Sequence, residues 1–255
     1  MLKTVQQGDS EPTLLYANSD SISTRYLKTA ETVRELSQLK FGNEEQVKLV
    51  VVTKGKPLSA CLEVIAAGAT NLGENYPEET VKKFTDVDLR KINLHMIGHI
   101  QSRKIKLLQP LFQCIHSIDS QDLARKISDH YCKQEKKVDV LIEVDFTSEQ
   151  TKKGLRVDDS NGCASFMITI GELLRLEGIN VIGLMTMGHY PENEEINRNI
   201  FKACTSLLNT IQEKFKVNAI CELSMGTSGD YKTAIAEGAT MVRIGESIMG
   251  PRSYL

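Results

Sequence analysis

The sequence predicts a single α/β domain, a (β/α)8 barrel of the TIM type with one extra N-terminal helix. Short apolar, β-branched segments alternate with helical patterns, and eight such strands fall within about 205 residues. No stretch rich in Pro, Gly or Ser divides the 255-residue chain. Strict alternation implies a parallel sheet, and eight strands fit a closed barrel. An open, doubly wound sheet is the alternative fold.

Each element has its own signal in the sequence. The first helix has Ser21 or Ser23 as its cap, and the second has Pro57 in its first turn and Gly68 beyond its end. The predicted strands are 47–54, 69–73, 93–98, 113–119, 138–146, 181–188, 219–226 and 241–245. The predicted helices are approximately 22–36, 57–67, 78–86, 101–108, 120–136, 166–176, 194–215 and a short one that ends at residue 238.

The N-terminal segment and the amino-acid composition exclude several classes of protein. Residues 1–20 are polar and are expected to form a flexible tail, so that residues 21–255 make up the barrel domain. No signal peptide is recognisable, and no apolar run approaches the roughly 18 residues that a membrane span needs. The net charge of -2 and the isoelectric point of about 6.2 argue against a nucleic-acid partner.

The six cysteines are scattered and form no C-x-x-C pair, which indicates neither a metal site nor a redox pair. This usage fits the reducing cytoplasm, where we expect the protein to be located. The histidines at 95, 116 and 189 have no ligand spacing, so they are interpreted as core or rim residues. No sustained apolar stripe indicates an obligate dimer, and a monomer is expected.

Lys54 is the first candidate for a residue that reacts with a ligand. Because side chains alternate along a strand, Val50, Val52 and Lys54 share one face, and the lysine ends a row of buried valines. In parallel α/β folds, ligands bind at this carboxyl end of the strands. A desolvated lysine loses its proton easily and becomes a nucleophile for aldehydes. The alternative is that Lys54 reaches solvent or pairs with a carboxylate.

Two loops after the last two strands predict a phosphate site. The segments S-M-G-T-S-G-D (224–230) and R-I-G-E-S (243–247) each lead from a strand into a short helix. Free backbone N–H groups at such points bind phosphate, and barrels often bind one after the seventh and eighth strands. The alternative is that these serines and glycines only cap helices and form turns.

Arg243 is predicted to face the barrel interior together with Gly245, because it alternates with Val242 and Ile244. A buried arginine needs an acceptor, since it does not lose its proton in proteins. A structural salt bridge to Glu222 or Asp230 is the alternative to a ligand contact.

Six stretches, spread over residues 50–252, carry a resemblance to a known family. In chain order they are V-V-T-K-G-K-P, L-G-E-N-Y, H-M-I-G-H-I-Q-S-R-K, G-L-M-T-M-G, L-S-M-G-T-S-G-D and V-R-I-G-E-S-I-M-G. The sequence resembles the pyridoxal-phosphate homeostasis proteins, also called the proline synthase co-transcribed protein family. Their fold is similar to the N-terminal barrel of alanine racemase.

The resemblance implies that pyridoxal phosphate is the cofactor and that Lys54 carries it as a Schiff base. It also implies that Asn75 lies near the phenolic oxygen of the cofactor, and that Arg243 meets its pyridine nitrogen. A lysine nucleophile, a phosphate-binding loop pair and an inward arginine suit this cofactor.

For the phosphate, the resemblance implies contacts from Ser228, Gly245 and Glu246, with Ser224 beside them. Glu246 departs from the family, which usually has Thr or Ser at this position. Because a carboxylate would be repelled by a phosphate, we expect the side chain of Glu246 to turn away while its backbone N–H points in.

The resemblance implies storage or delivery of the cofactor inside the cell, with little or no turnover and with apo-enzymes as possible recipients. The chain is expected to lack the second domain of alanine racemase. Two other functions stay open: a racemase-like enzyme acting on amino acids, and, if Lys54 is not a nucleophile, a barrel acting on a sugar phosphate.

Overall fold

The computed structural model describes residues 20–147, 154–157, 160–189 and 193–251. Eight parallel strands form a closed barrel in the order β1-β2-β3-β4-β5-β7-β8-β9, and β9 pairs with β1 to close it. The strands are β1 (Lys48–Val52), β2 (Asn71–Glu74), β3 (Asn93–Met96), β4 (Phe112–Ile118), β5 (Val138–Asp145), β6 (Leu155–Arg156), β7 (Ile179–Met185), β8 (Glu222–Ser224) and β9 (Met241–Ile244). The predicted barrel is therefore confirmed, and the open sheet is wrong.

Helices cover the outside of the barrel. They are α1 (Ile22–Phe41), α2 (Leu58–Ala66), α3 (Pro77–Lys83), α4 (Gln121–Cys132), α5 (Ser160–Leu173), α6 (Glu194–Phe215), α7 (Tyr231–Ala236) and α8 (Glu246–Met249). Several details differ from the prediction. Helix α5 begins at Ser160, whereas the predicted helix begins near residue 166. The basic segment Ser102–Leu107 is a 3₁₀ helix, and the unpredicted two-residue strand β6 pairs with the end of β5.

The register of β1 against β9 decides which residues face the barrel interior. Val50 pairs with Arg243, and Val51 pairs with Ile244. Val51 and Ile244 belong to the large apolar core between barrel and helices, so the other pair points inward. A Cβ built on Gly245 would lie 3.3 Å from Cβ of Val52, which places these two positions side by side on the inner face. The alternation predicted from the sequence is present.

Helix α1 precedes the first βα unit and is hydrogen-bonded to the last one. Ser21 caps it, because its hydroxyl accepts the backbone N–H of Thr24 at 3.1 Å. From the first turn of α1, Nε of Arg25 donates to the carbonyl of Ile248 at 2.7 Å. Helices α1 and α8 are thus joined on the outside of the barrel.

The predicted tail, residues 1–20, lies outside the described residues except for Asp20. In the described part of the chain, no helix has both the length and the apolar character required to cross a membrane. All six cysteines are free thiols.

Candidate functional site at the carboxyl end of the barrel

The residues predicted for the site follow the strands at one end of the barrel. Since all eight strands are parallel, their carboxyl ends open onto the same face, which we call the mouth. The predicted residues at or just below the mouth are Lys54 after β1, Asn75 after β2, Ser224 at the end of β8, Ser228 in the next loop, Arg243 in β9, and Gly245 with Glu246 after β9.

Lys54 and Lys56 lie in different surroundings. Lys54 is partly buried and lies in the turn after β1, two positions beyond Val52, so strand alternation predicts that it continues the inward row. Lys56 is directed to the outside, where Nζ donates to the carbonyls of Gly250 at 3.1 Å and Pro251 at 2.6 Å. Burial, and then the nearby positive charge of Arg25, lower the pKa of Lys56. Its amine therefore points to the outside of the barrel, and Lys54 stays the predicted nucleophile at the mouth.

A buried ionic cluster, the Lys83 cluster, lies directly behind the Lys54 turn and consists of Thr53, Glu74, Glu79 and Lys83. The Glu74 and Lys83 side chains are 0% and 6% exposed, and their charged atoms are 2.9 Å apart. Oε1 of Glu74 also accepts the hydroxyl of Thr53 at 2.6 Å. Burial raises the pKa of Glu74, and the charge of Lys83 opposes that rise. Burial by itself would lower the pKa of Lys83, but Glu74 reverses this and the pKa is raised.

The Lys83 cluster holds the backbone on both sides of Lys54. Nζ of Lys83 donates to the carbonyl of Thr53 at 3.0 Å. Oε1 of Glu79 accepts the backbone N–H of Gly55 at 3.0 Å and also lies 2.9 Å from Nζ of Lys83. Sequence reasoning missed this cluster, whose only visible trace was a glutamate at the end of an apolar strand.

Arg243 is buried in a cage of uncharged acceptors. Nη1 donates to the carbonyl and hydroxyl of Ser224 at 2.8 and 2.6 Å, and Nη2 donates to the carbonyl of Thr186 at 3.1 Å. Nη2 also lies 2.9 Å from Sδ of Met187. Among the described residues, Nε has no acceptor. Burial lowers the pKa of Arg243 to about 10, which leaves the guanidinium charged at neutral pH.

The alternative that Arg243 forms a structural salt bridge is wrong within the described residues. Glu222 instead pairs with Lys48. Asp230 accepts the backbone N–H of Thr227 at 2.6 Å and the side-chain amide of Asn197 at 3.1 Å. Both carboxylates therefore have other partners, and the arginine keeps one donor for a ligand.

Ser224 does not lie where the resemblance placed it. It is fully buried below Arg243, and its hydroxyl is engaged by the guanidinium and by Nδ1 of His116 at 2.9 Å. A hydroxyl with both contacts inside the barrel is not a phosphate contact. We therefore correct its role to that of a support for Arg243.

The two predicted phosphate loops meet at the mouth. The hydroxyl of Ser228 lies 3.4 Å from the backbone nitrogen of Ser247, which joins the loop after β8 to the loop after β9. The backbone N–H groups of Ser228, Gly229, Gly245 and Glu246 make no hydrogen bond to any described residue. Helices α7 and α8 have only six and four residues, so these individual donors, not a long helix dipole, are what the loops offer an anion.

The Glu246 side chain is exposed, whereas Gly245 before it is partly buried. The expectation that the carboxylate turns away from a bound phosphate stays a prediction. The unpaired backbone N–H of Glu246 remains available to an anion.

Asn75 is held at the mouth by close packing. Its Oδ1 is buried and has no hydrogen-bond partner among the described residues, which makes it a polar atom that a ligand could satisfy. A Cβ built on Gly98 would lie 2.5 Å from the carbonyl oxygen of Asn75. The hydroxyl of Ser117 in turn donates to the Gly98 carbonyl at 2.6 Å. Only glycine permits this approach, so Gly98 is a further residue that sequence reasoning missed.

The histidines inside the barrel are hydrogen-bonded, as core histidines should be. Nδ1 of His95 lies 2.8 Å from Nε2 of His116, and both side chains are buried. Together with Cys114, their ligand-type atoms lie within 4.8 Å of one another. The facing nitrogens share a proton in a hydrogen bond, which is not the arrangement of two lone pairs directed at a metal. Burial raises the pKa of the Cys114 thiol and keeps it protonated.

Comparison with known proteins identifies the family of this chain. Residues 28–253 match the family described as "Alanine racemase, N-terminal domain". An Aquifex aeolicus protein named "Pyridoxal phosphate homeostasis protein" is 35% identical over 230 residues, which are 90% of this chain and 98% of the relative. The chain belongs to the pyridoxal phosphate homeostasis protein family.

Solved structures agree with that family. PipY of Synechococcus elongatus PCC7942, solved with PLP bound, has a TM-score of 0.78 at 25% identity and covers 90% of this chain and 100% of that chain. Alanine racemase of Clostridium difficile 630 has a TM-score of 0.65 at 15% identity and covers 87% of this chain and 56% of that chain. The second likeness is one of fold. This chain thus shares its fold with about half of that racemase.

Proposed function

We propose that this protein binds pyridoxal phosphate at the mouth of its barrel and that Lys54 holds it there as a Schiff base. The observation that carries the proposal is the register of β1 against β9, which pairs Val50 with Arg243 on the inner face. Alternation from Val50 through Val52 would direct Lys54 toward the same mouth. An amine nucleophile, a cationic donor and unpaired backbone N–H groups meet there. They match the aldehyde, the ring nitrogen and the phosphate of this one molecule.

Each part of the cofactor has a candidate partner in the chain. The backbone N–H groups of Ser228, Gly245 and Glu246 would hold the phosphate, with the hydroxyl of Ser228. Asn75, near the end of β2, supplies a buried side-chain oxygen, Oδ1, that has no hydrogen-bond partner among the described residues. Arg243 would donate to the ring nitrogen through Nε. The Lys83 cluster fixes the backbone that carries Lys54.

We propose a role in storage or delivery of the cofactor, with little or no turnover. When bound, pyridoxal phosphate supplies an electron sink, and that sink is strong only when the ring nitrogen is protonated. Arg243 can only donate a hydrogen bond and so favours the unprotonated ring. A monomer in the cytoplasm that hands the cofactor to apo-enzymes fits this chemistry and the names of the relatives.

The covalent residue can be identified directly. We expect borohydride reduction of the protein loaded with pyridoxal phosphate, followed by peptide mass mapping, to place the adduct on Lys54. The Lys54→Ala variant should lose it, whereas Lys56→Arg should keep it, since Lys56 is committed to the carbonyls of Gly250 and Pro251. An adduct on Lys56, or one that survives in Lys54→Ala, would contradict the assignment.

Turnover separates the carrier from the racemase-like enzyme. We expect the loaded protein, incubated with a panel of L- and D-amino acids, to transaminate, decarboxylate or racemise them no faster than free pyridoxal phosphate does. Chiral analysis and the absorption of the bound cofactor are the measurements. Turnover far above the free-cofactor rate on any amino acid would overturn the carrier role and favour the enzyme.

The phosphate loop can be tested with two neighbouring hydroxyls. We expect Ser228→Ala to weaken retention of pyridoxal phosphate more than Thr227→Ala does, by up to roughly a hundredfold, the value of one hydrogen bond to a charged acceptor. The hydroxyl of Thr227 already has Asp230 as a partner at 3.1 Å and is the matched control. Equal dissociation constants, measured by equilibrium dialysis, would argue against this loop geometry.

A further inference from the structure

A line of buried hydrogen bonds, which we call the interior chain, runs through the barrel from the mouth to the opposite end. Its members in order are Arg243, Ser224, His116, His95 and Asn71. The successive donor–acceptor distances are 2.6, 2.9, 2.8 and 3.1 Å, all within normal hydrogen-bond length. The sequence separations along it reach 108 residues, so no local motif reveals it.

The contact between His95 and Asn71, at the end of the interior chain far from the mouth, determines the direction in which the hydrogen bonds donate. Nε2 of His95 meets Oδ1 of Asn71, an amide oxygen that can only accept. The side-chain amide of Asn93 also donates to this oxygen at 3.3 Å. Nε2 of His95 must therefore carry a proton. In a neutral ring this leaves Nδ1 as an acceptor, so Nε2–H of His116 donates to it.

The contact between Arg243 and Ser224, at the mouth, independently requires the same direction of hydrogen-bond donation. Arg243 has no acceptor atom, so the hydroxyl of Ser224 accepts from its guanidinium. The single hydroxyl proton then goes to the other neighbour, Nδ1 of His116, which must be unprotonated. A neutral His116 consequently carries its proton on Nε2, toward His95. The two derivations meet at the histidine pair without conflict.

We propose that His116 and His95, both neutral and both protonated only at Nε2, are positioning residues that orient Arg243 through Ser224. Every bond of the interior chain then donates away from the mouth, and the acceptor side of each group faces the guanidinium. This alignment stabilises a buried cation for which no ion pair is recorded among the described residues, while Asp230 and Glu143 favour its charge electrostatically. The consequence for the ring nitrogen of pyridoxal phosphate rests on the proposed function.

The electrostatic surroundings agree with two neutral rings. Burial, and then the charge of Lys48, lower the pKa of His95 to about 4. Burial, followed by His95 and Arg243, places the pKa of His116 well below its usual range. If either ring gained an extra proton, two hydrogen-bond donors would face each other in the interior chain, with no acceptor between them.

The tautomers can be read without any ligand. In the full chain labelled with ¹⁵N-histidine, long-range ¹H–¹⁵N correlation spectra should show His95 and His116 with Nε2 protonated and Nδ1 unprotonated. Single histidine substitutions assign the five rings. The pattern should be unchanged between pH 8 and pH 6. A proton on Nδ1 of either ring, or a cationic ring at pH 7, would overturn the proposal.

The link to the ligand is tested by comparing pyridoxal phosphate with its deaza analogue, in which a C–H group replaces the ring nitrogen. We expect His116→Phe to weaken retention of pyridoxal phosphate about tenfold, the value of one modest hydrogen bond, and to leave the analogue almost unaffected. Cys114→Ala, a buried change beside the interior chain, controls for packing and should affect both ligands equally little.

Equal losses for both ligands in His116→Phe would mean that the histidine acts through packing, and would overturn the positioning role. Failure of the unaltered protein to bind pyridoxal phosphate would instead overturn the proposed function. The tautomer result does not depend on that binding, so the two failures are distinguishable.

Discussion

Replacing Lys83 by methionine should lower the free energy of unfolding by about 3–5 kcal/mol, the usual cost of removing one partner of a buried ion pair. The methionine fills much of the same volume, but the fully buried Glu74 would lose its counter-charge. The carbonyl of Thr53 would lose its donor as well. Because that carbonyl immediately precedes Lys54, we also expect weaker retention of pyridoxal phosphate.

The pH dependence of this loss has a definite sign. Lys83 lowers the pKa of Glu74, so its removal raises that pKa further above the unfolded value of about 4.3. A carboxyl group whose pKa is raised in the folded state loses stability as the pH rises. The destabilisation of Lys83→Met relative to the unaltered protein should thus be larger at pH 8 than at pH 5, as measured by urea unfolding.

Two variants make the Lys83 test specific. Lys82→Met removes an exposed neighbouring lysine and should change the free energy of unfolding by less than about 0.5 kcal/mol. The double variant Glu74→Gln/Lys83→Met removes the stranded charge and should be more stable at pH 8 than Lys83→Met alone. Equal effects of Lys82→Met and Lys83→Met would show that the cluster carries no net stability.

Gly183→Ala should destabilise the barrel by more than about 3 kcal/mol, because overpacking against backbone has no side chain to yield. The added Cβ would lie 1.8 Å from the carbonyl oxygen of Glu222, so β7 and β8 would have to separate. The register against β5 skips one residue at this point, which identifies a β-bulge.

Gly171→Ala is the matched control for Gly183→Ala. It lies in helix α5, where the new Cβ would be 3.2 Å from the movable ring edge of Phe215. Alanine also favours the helix by about 1 kcal/mol, so we expect a change within about 1 kcal/mol. A stable Gly183→Ala protein with an unchanged unfolding midpoint would contradict the bulge geometry.

The sequence was sufficient for the barrel and for the inward row of the mouth. Both follow from short-range patterns, namely strand–helix alternation and the two-residue period that sets Val50 and Arg243 on the inner face. The same period predicts that Lys54 follows them. The 3₁₀ helix Ser102–Leu107 was predicted as an ordinary helix because the two share nearly the same apolar spacing.

The supporting contacts could not be predicted, because they join residues that no local pattern relates. Glu74 meets Thr53 from 21 positions away, and Ser224 meets His116 from 108 away. The misplacement of Ser224 has the same origin. Its motif indicated a phosphate loop, but its register at the end of β8 directs the hydroxyl into the barrel.

The contact between Arg25 and Ile248 has a consequence for biosynthesis. The contact joins residues 223 positions apart. Strand β1 also cannot pair with β9, one of its two neighbours in the barrel, until β9 has been synthesised. During translation the amino-terminal strands are made first and keep one unpaired edge, a hazard for aggregation, until the last strand leaves the ribosome. Residues 241–251 then supply the strand that closes the barrel and the segment that contacts α1. The barrel therefore stays open until β9 has been made, and only then can the mouth be completed.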